Sequence, residues 1–498
     1  MTITAAVVSA IGRRSGRQML TASSSLTTMT PATSKPLLLS TSTTATSVSH
    51  SHHVPSSSSS SSSSRFFSSA MSSDSDGDHD VDDSSSSKDT LSSLLFNPTE
   101  DHVALRAMMK SFTKEYVEPR ALEYNKHEKF NYELFQQLGT SNGGLGILGL
   151  TVPEKFGGTE FPDPAVAVAI AHEELSYSDP SFCLSYLAHS LLLVNNLTMN
   201  ASHEQCSEYL PRLCDGSSIG GMCMSEPHGG TDVLGCMKTT AKQQDPESNG
   251  DWILNGTKMW ITNGFVGDEN TTGDVFLVYA RTGVNKTDIT QFIVTKDMAG
   301  FSVGQRIKDK LGMRSSNTAE LVFENVKVPK ENIVGKVNGA TICMMRNLEI
   351  ERLGLASMAI GISRRCIDEM KVYANERSGL FNQNSLYNFG QIQKHISESV
   401  AEYYASKCYV YSLANILNIK SSGNTLHSDG VKLFSASTSK NIADRAIQVM
   451  GGYGYVGEYV VERLWRDSKL LEIGGGTNES HHKNMSRDLQ RTADIPIE

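Results

Sequence analysis

From Asp101 onward apolar residues recur at helical spacing, as in Val103, Leu105, Met108, Met109 and Phe112, with Thr99 placed to cap the start. This texture runs to about Asp215. It is interrupted by Gly157-Gly158 after Pro153, and a second helix is expected from Pro164 to about Leu175. Between Ser217 and Lys336 a period of two takes over, predicting short strands at Trp252 to Leu254, Val275 to Ala280, Gln291 to Val294 and Leu321 to Phe323. The Asn255-Gly256 pair between Trp252-Ile253-Leu254 and Met259-Trp260-Ile261 predicts a hairpin, and the whole stretch a small antiparallel β domain. From Gly339 to about Arg487 the helical period returns, with Leu348, Leu355, Met358 and Ile362 on one face and Glu349 and Arg352 nearby. A helix through Ala436 to Met450 is expected to stop at Gly451-Gly452, where glycine permits the left-handed turn that satisfies the last carbonyls. The order α, β, α predicts an α+β chain: an N-terminal helical domain at 96–216, a central antiparallel β domain at 217–336 and a C-terminal helical bundle at 337–498.

The first 95 residues are different material. Up to about residue 70 they hold Arg13, Arg14, Arg17, Lys35 and Arg65, no acidic residue, and a crowd of Ser, Thr and Ala, which is transit-peptide composition. Ile3 to Leu20 patterns as a short amphipathic helix, so mitochondrial import, to the matrix, is the first expectation and plastid import the second. The runs Ser56 to Ser64 and Ser73 to Asp83 cannot bury enough apolar surface to offset their ordering entropy, and disorder is expected there. His50, His52 and His53 read as part of this tail rather than as a metal tract.

Composition narrows the functional classes. Of 498 residues, 39% are hydrophobic and 20% charged, an ordinary globular balance with room for a large core. The formal net charge of −9 argues against a nucleic-acid partner, because no basic excess exists to displace phosphate counterions. The eight cysteines show no C-x-x-C spacing and read as free thiols filling the core, with no metal site. No uninterrupted apolar run of about 18 residues suggests a transmembrane helix.

Gly452-Tyr453-Gly454-Tyr455-Val456-Gly457 matches G-x-G-x-x-G, with Glu472 twenty residues on. A dinucleotide fingerprint must follow a strand and open a helix, whereas this one closes a helix, so the match carries little. Met222-Cys223-Met224-Ser225-Glu226-Pro227-His228-Gly229-Gly230-Thr231-Asp232 sets hydroxyls, glycines and an acid in a loop whose backbone N–H groups can approach a ligand. Trp260-Ile261-Thr262-Asn263-Gly264 places an aromatic and a hydroxyl at alternate strand positions. Alone, each reads equally well as a tight turn and a core strand.

Together with Leu311-Gly312-Met313-Arg314-Ser315-Ser316-Asn317-Thr318, Glu351-Arg352-Leu353 and Gly474-Gly475-Gly476-Thr477-Asn478-Glu479, in this order over about residues 96–490, these segments resemble the acyl-CoA dehydrogenase family. The resemblance implies an α domain, a β domain and a C-terminal four-helix domain, with non-covalent FAD. By position Met222, Met224, Ser225, Thr231, Trp260, Ile261 and Thr262 would line the flavin ring. Gln448, Gly451, Gly452, Thr477 and Glu479 would meet the rest of the cofactor, partly across a subunit boundary of a homotetramer. Thr231, Glu349, Arg352, Gly475 and Gly476 match substrate-contacting positions. Electron-transferring flavoprotein is the implied acceptor.

The implied chemistry needs a carboxylate that takes the α proton of an acyl-CoA while the β hydrogen leaves as hydride. Most of the family keeps that glutamate just before the Gly-Thr of the last motif, where this chain has Gly475. In a minority, including isovaleryl-CoA and long-chain acyl-CoA dehydrogenases, it sits on the first long helix of the C-terminal domain, where this chain has Glu351. Glu351 is therefore the implied base, and a short or branched-chain acyl-CoA of amino-acid catabolism or fatty-acid β-oxidation the implied substrate. Two departures stand out. The arginine segment that reaches a neighbouring subunit's FAD reads Arg377-Ser378-Gly379-Leu380-Phe381, one residue longer than the family pattern, with Phe389-Gly390-Gln391 as its companion. Ile342 stands where isovaleryl enzymes have a substrate-lining tyrosine, which counts against isovaleryl specificity. The alternatives are an acyl-CoA oxidase passing electrons to oxygen, and a catalytically silent scaffold of the same fold.

Overall fold

The computed structural model describes residues 94–491 apart from 246–249, 268–270, 379–383 and 422. The expected transit segment, the serine and acidic runs, His50, His52, His53 and Gly379 to Phe381 lie outside the described residues.

Helix α1 (Glu100–Phe112) starts where Thr99 accepts a hydrogen bond from His102 N, and it buries Leu105, Met109 and Phe112 while Val103 stays exposed. Helix α2 (Pro164–Ser178) is buried almost all round, and with α3 (Pro180–Leu187) and α4 (His203–Cys214) completes the first helical layer. The helical run Pro180–Asn200 is apolar and long enough to cross a membrane by composition, but 78% of it is buried within the protein, as a core helix is.

Apart from a short pair at Phe265–Val266 and Thr271–Thr272, the strands are β1 (Gly220–Cys223), β2 (Thr240–Gln243), β3 (Trp252–Thr262), β4 (Val275–Arg281), β5 (Ile289–Thr295), β6 (Phe301–Arg306), β7 (Thr318–Val328) and β8 (Ile333–Val334). They form one sheet in the order β8-β5-β4-β2-β3-β7-β6, with β1 on β4. Pairing is chiefly antiparallel, but β1 runs parallel to β4. The expected hairpin at Asn255-Gly256 does not form. β3 passes straight through the pair, and the irregularity is taken up as a bulge against β7 between Leu254 and Gly256. Asn255 spends its side chain on Asn325, accepting from its N at 2.8 Å and donating to its Oδ1 at 3.1 Å, so the cue for a turn serves a bulge. A Cβ at Gly256 would lie 2.5 Å from Thr239 Oγ1, so glycine is needed there for close approach.

The third layer holds α5 (Ala340–Glu376), α6 (Gly390–Ile416), α7 (Thr425–Met450), α8 (Val460–Leu471) and α9 (Asn478–Arg491). α5 is 37 residues long and packs between α2 and α7, so it is buried on two sides and takes Glu349, Glu351 and Arg352 inside with its apolar face. α7 ends at Met450 as expected, but Gly451 follows at φ +59° and ψ −132°, a positive-φ turn that suits glycine yet lies outside the left-handed helical conformation expected. Cys183, Cys206, Cys214, Cys223 and Cys366 fill the core as expected, whereas Cys236 and Cys408 are exposed and Cys343 is half-buried.

One buried ion cluster ties the first and third layers. Glu173 on α2 receives Arg106 of α1 at 2.9 Å, Arg364 of α5 at 3.1 Å, Lys407 of α6 at 3.0 Å and the Tyr411 hydroxyl at 2.6 Å. These cations hold its carboxyl well below the usual range against the opposing effect of burial. Glu173→Gln leaves three cations short of their common acid and is expected to lower unfolding free energy by about 3–5 kcal/mol in denaturant titration at pH 7. A loss below about 1 kcal/mol, typical of an exposed pair, would show that the cluster does not brace the layers.

Candidate active site

Helix α5 delivers Glu351 to a buried place. The residue is 6% exposed, and among the described residues its Oε2 has no hydrogen-bond partner. Burial pushes its carboxyl up to about 7, with Arg352 and then Lys432 pulling the other way. The turn Gly475-Gly476 between α8 and α9 faces it, at φ +65° and +98°. A Cβ at Gly475 would lie 3.4 Å from Glu351 Oε1 and 2.2 Å from Leu355 Cδ1. Leu355 therefore excludes a side chain at residue 475, and the Glu351 carboxyl lies in van der Waals reach of the bare turn.

Lys432, Asp429 and His481 complete this neighbourhood, and none was singled out from the sequence. All three are buried; Lys432 Nζ donates to Gly476 O at 2.6 Å and His481 Nε2 to the same oxygen at 3.0 Å. Asp429 Oδ1 meets His481 Nδ1, and Arg352 Nη1 at 3.2 Å. The i, i+3 spacing of Asp429 and Lys432 is the one signal available beforehand, and a solvated helix face carries the same signal. Glu349 goes elsewhere: it accepts from Gly423 N, Asn424 N and Thr425 Oγ1, each at 3.2 Å, at the start of α7.

A second group gathers on the sheet. Ser225 O accepts from Met259 N at 2.9 Å, setting the Met222 to Ser225 segment along β3. Beneath it, fully buried Lys258 reaches Met224 O at 3.1 Å and Glu226 Oε1 at 2.9 Å. β3 carries one extra residue between Lys258 and Ile261, and Trp260 absorbs it at φ +66° with 61% exposure, while Ile261 is buried and Thr262 half-buried. A bulky residue in left-handed backbone, with its ring turned out, marks a position held for contact rather than for packing.

A third group lines an open cleft of about 520 Å³ where Arg377, Gly451 and Gly452 meet Tyr373, Met450 and Tyr453. Among the described residues a Cβ on either glycine would meet nothing within 4 Å, so a ligand can descend onto their backbone. Thr477 caps α9 by accepting from Ser480 N at 3.2 Å; Thr231, Gln448 and Glu479 are exposed in the single chain. Ile342 is 60% exposed.

Three family models match the chain in sequence: the acyl-CoA dehydrogenase N-terminal domain over residues 99–217, the middle domain over 221–326 and the C-terminal domain over 338–490. The chain belongs to the acyl-CoA dehydrogenase family. It is an enzyme, an acyl-CoA dehydrogenase. Among its relatives, mitochondrial isovaleryl-CoA dehydrogenase of Solanum tuberosum is 38% identical over 400 residues, covering 80% of this chain and 92% of that one. Butyryl-CoA dehydrogenase of Megasphaera elsdenii superposes with a TM-score of 0.73 at 28% identity, over 79% of this chain and 99% of that one. Glutaryl-CoA dehydrogenase of Mycobacterium smegmatis, solved in complex with FADH2, gives 0.71 at 27% identity, over 80% and 96%.

The raised Glu351 carboxyl makes a stability prediction for this acyl-CoA dehydrogenase. A folded-state value above the unfolded one favours folding at low pH, and that advantage is lost as pH rises through about 7. Glu351→Gln, which never ionises, should therefore gain on the wild type above pH 7, by about 2–3 kcal/mol at pH 9, with the difference shrinking below pH 5. Thermal melts across pH check this; a variant less stable than the wild type at pH 9 contradicts it.

Proposed function

We propose that this chain carries out FAD-dependent α,β-dehydrogenation of a short or branched-chain acyl-CoA to the 2-enoyl-CoA, with Glu351 as the base. The observation that carries the reading is the Glu351 carboxyl, buried, unpartnered at Oε2, raised to about 7 and facing the Gly475-Gly476 turn. A carboxylate poised near working pH takes a carbon-bound proton more readily than one stabilised by water or by a full set of hydrogen bonds.

The residues present fit FAD. Trp260 turns its ring out of the bulge beside Ser225 and Thr262, and the open glycine backbone at Gly451-Gly452 beside Arg377 suits close approach by a large polar ligand. Bound FAD would supply the hydride acceptor. Met222, Met224, Ser225, Thr231, Trp260, Ile261 and Thr262 hold the ring end in this reading. Arg377, Gln448, Gly451, Gly452, Thr477 and Glu479 hold the remainder, partly from a neighbouring subunit of a homotetramer. Glu351 removes the α proton, Leu355 and the surrounding helices keep water away, and Thr231, Arg352, Gly475 and Gly476 shape the substrate side, whereas Glu349 instead holds the start of α7. Electrons then pass to electron-transferring flavoprotein, and the naming of the Solanum relative as mitochondrial supports a mitochondrial location, in the matrix.

Anaerobic titration of the purified yellow enzyme with straight and branched acyl-CoA esters tests this, with bleaching of the flavin as the readout. The rate of bleaching should rise with pH through about 7 and level off above it, because only the ionised base accepts a proton. Glu351→Gln should keep its flavin and bleach about 10²- to 10⁴-fold more slowly. Bleaching of that variant at the wild-type rate sinks the assignment, and rapid oxygen uptake during turnover would move the enzyme to the oxidases.

A further inference from the structure

The base stands in a nest of charge that proton abstraction alone does not call for. Lys432 is 0% exposed on α7 and donates to Gly476 O at 2.6 Å. That carbonyl belongs to the residue after Gly475, the glycine whose bare backbone faces Glu351. His481 Nε2 approaches the same oxygen from α9 at 3.0 Å. A carbonyl only accepts, so Nε2 carries hydrogen, and the contact between His481 Nδ1 and Asp429 Oδ1 then needs one proton between them. Asp429 also engages Arg352, the residue next to the base, at 3.2 Å. Contacts thus run from Arg352 through Asp429 and His481 to the turn beside the base, and Lys432 meets the same carbonyl.

We propose that Lys432 is a positioning residue for Glu351: it anchors the Gly475-Gly476 turn and sets a cation on the base's side of it, with Asp429 and His481 holding the same carbonyl from behind. The proposal rests on Glu351 being the base. An ammonium is costly to bury without an opposite charge, and among the described residues Lys432 forms no direct ion pair. Of the acids that act on it, Glu351 acts most strongly, ahead of Glu472 and Asp429. The groups facing the two partners are Arg352 from α5, Tyr279 from β4, Asp429 from α7, Glu472 after α8 and His481 from α9. Arg352 is already engaged by Asp429, which leaves Lys432 as the cation whose loss Glu351 would feel without a compensating acid being freed. Removing that charge makes Glu351 hold its proton to higher pH, so less of it is ready at neutrality.

The substitution Lys432→Gln removes the charge and keeps an N–H donor on a shorter side chain. Two readouts on the flavin-loaded enzyme test it. One is the pH profile of flavin reduction by an acyl-CoA that the wild type oxidises. The other is an infrared pH titration of the Glu351 carboxyl band, identified by its loss in Glu351→Gln. Both midpoints should move up by about one pH unit in Lys432→Gln and return toward wild type in Lys432→Arg, the size expected for loss of one nearby charge. Lys432→Met, which loses the anchor too, should show the same midpoint shift with a lower plateau rate, and serves if the amide variant folds poorly. Unchanged midpoints in both readouts overturn the proposal, whatever happens to the rate. If no acyl-CoA reduces the wild-type flavin, the base assignment fails by itself, and the infrared titration still reports whether Lys432 acts on Glu351.

Discussion

A carboxylic acid held out of water on a helix covered from both sides is the constraint around which this acyl-CoA dehydrogenase is arranged. Glu351 loses its hydration because α5 packs against α2 on one flank and α7 on the other, and among the described residues Oε2 receives no donor in exchange. Desolvation alone would keep the group protonated. Arg352 and Lys432 bring it back to about 7, within reach of physiological pH, without the direct hydrogen bonds that would quench its basicity. The proposed role of Glu351 rests on that balance of burial against distant charge.

The glycine turn follows from the same constraint. Residues 475 and 476 both take positive φ, and the first has Leu355 and Glu351 where its side chain would project. A side chain at 475 would run into Leu355, so the turn stays bare beside the Glu351 carboxyl. The turn has no side chain of its own to hold it, and its carbonyl is fastened instead by Lys432 and His481. In the proposed reading the turn lies beside the reacting carbon and needs such support, since small displacements of a positioned group cost rate steeply.

Farther out, the scaffold treats charge differently. Glu173 is as buried as Glu351, yet three cations and a tyrosine hydroxyl surround it and drive its carboxyl down. It braces helices from the two ends of the described chain and has no proton to exchange near neutral pH. The contrast shows why burial by itself does not mark a catalytic acid: the partners decide whether the charged form is favoured or opposed.

The layer order, the period of each segment, the cap at Thr99 and the stop at Gly451 were legible in the sequence, because each depends on neighbours a few residues away. The motif set and the pairing of Glu351 with Gly475 were legible through resemblance to the family. The Asn255-Gly256 pair misled because the same backbone freedom that turns a hairpin also seats a bulge, and the choice was made by Thr239 and Asn325 from elsewhere in the chain. Trp260 read as half of an ordinary strand until the unequal pairing of β3 and β7 turned it outward. Lys432, Asp429 and His481 stayed invisible because they meet Glu351 and the glycine turn only when α5, α7 and α9 come together. Local spacing determined which elements form. Only tertiary packing decided which charges lose their water, since desolvation is set by everything that covers a residue and not by its neighbours along the chain.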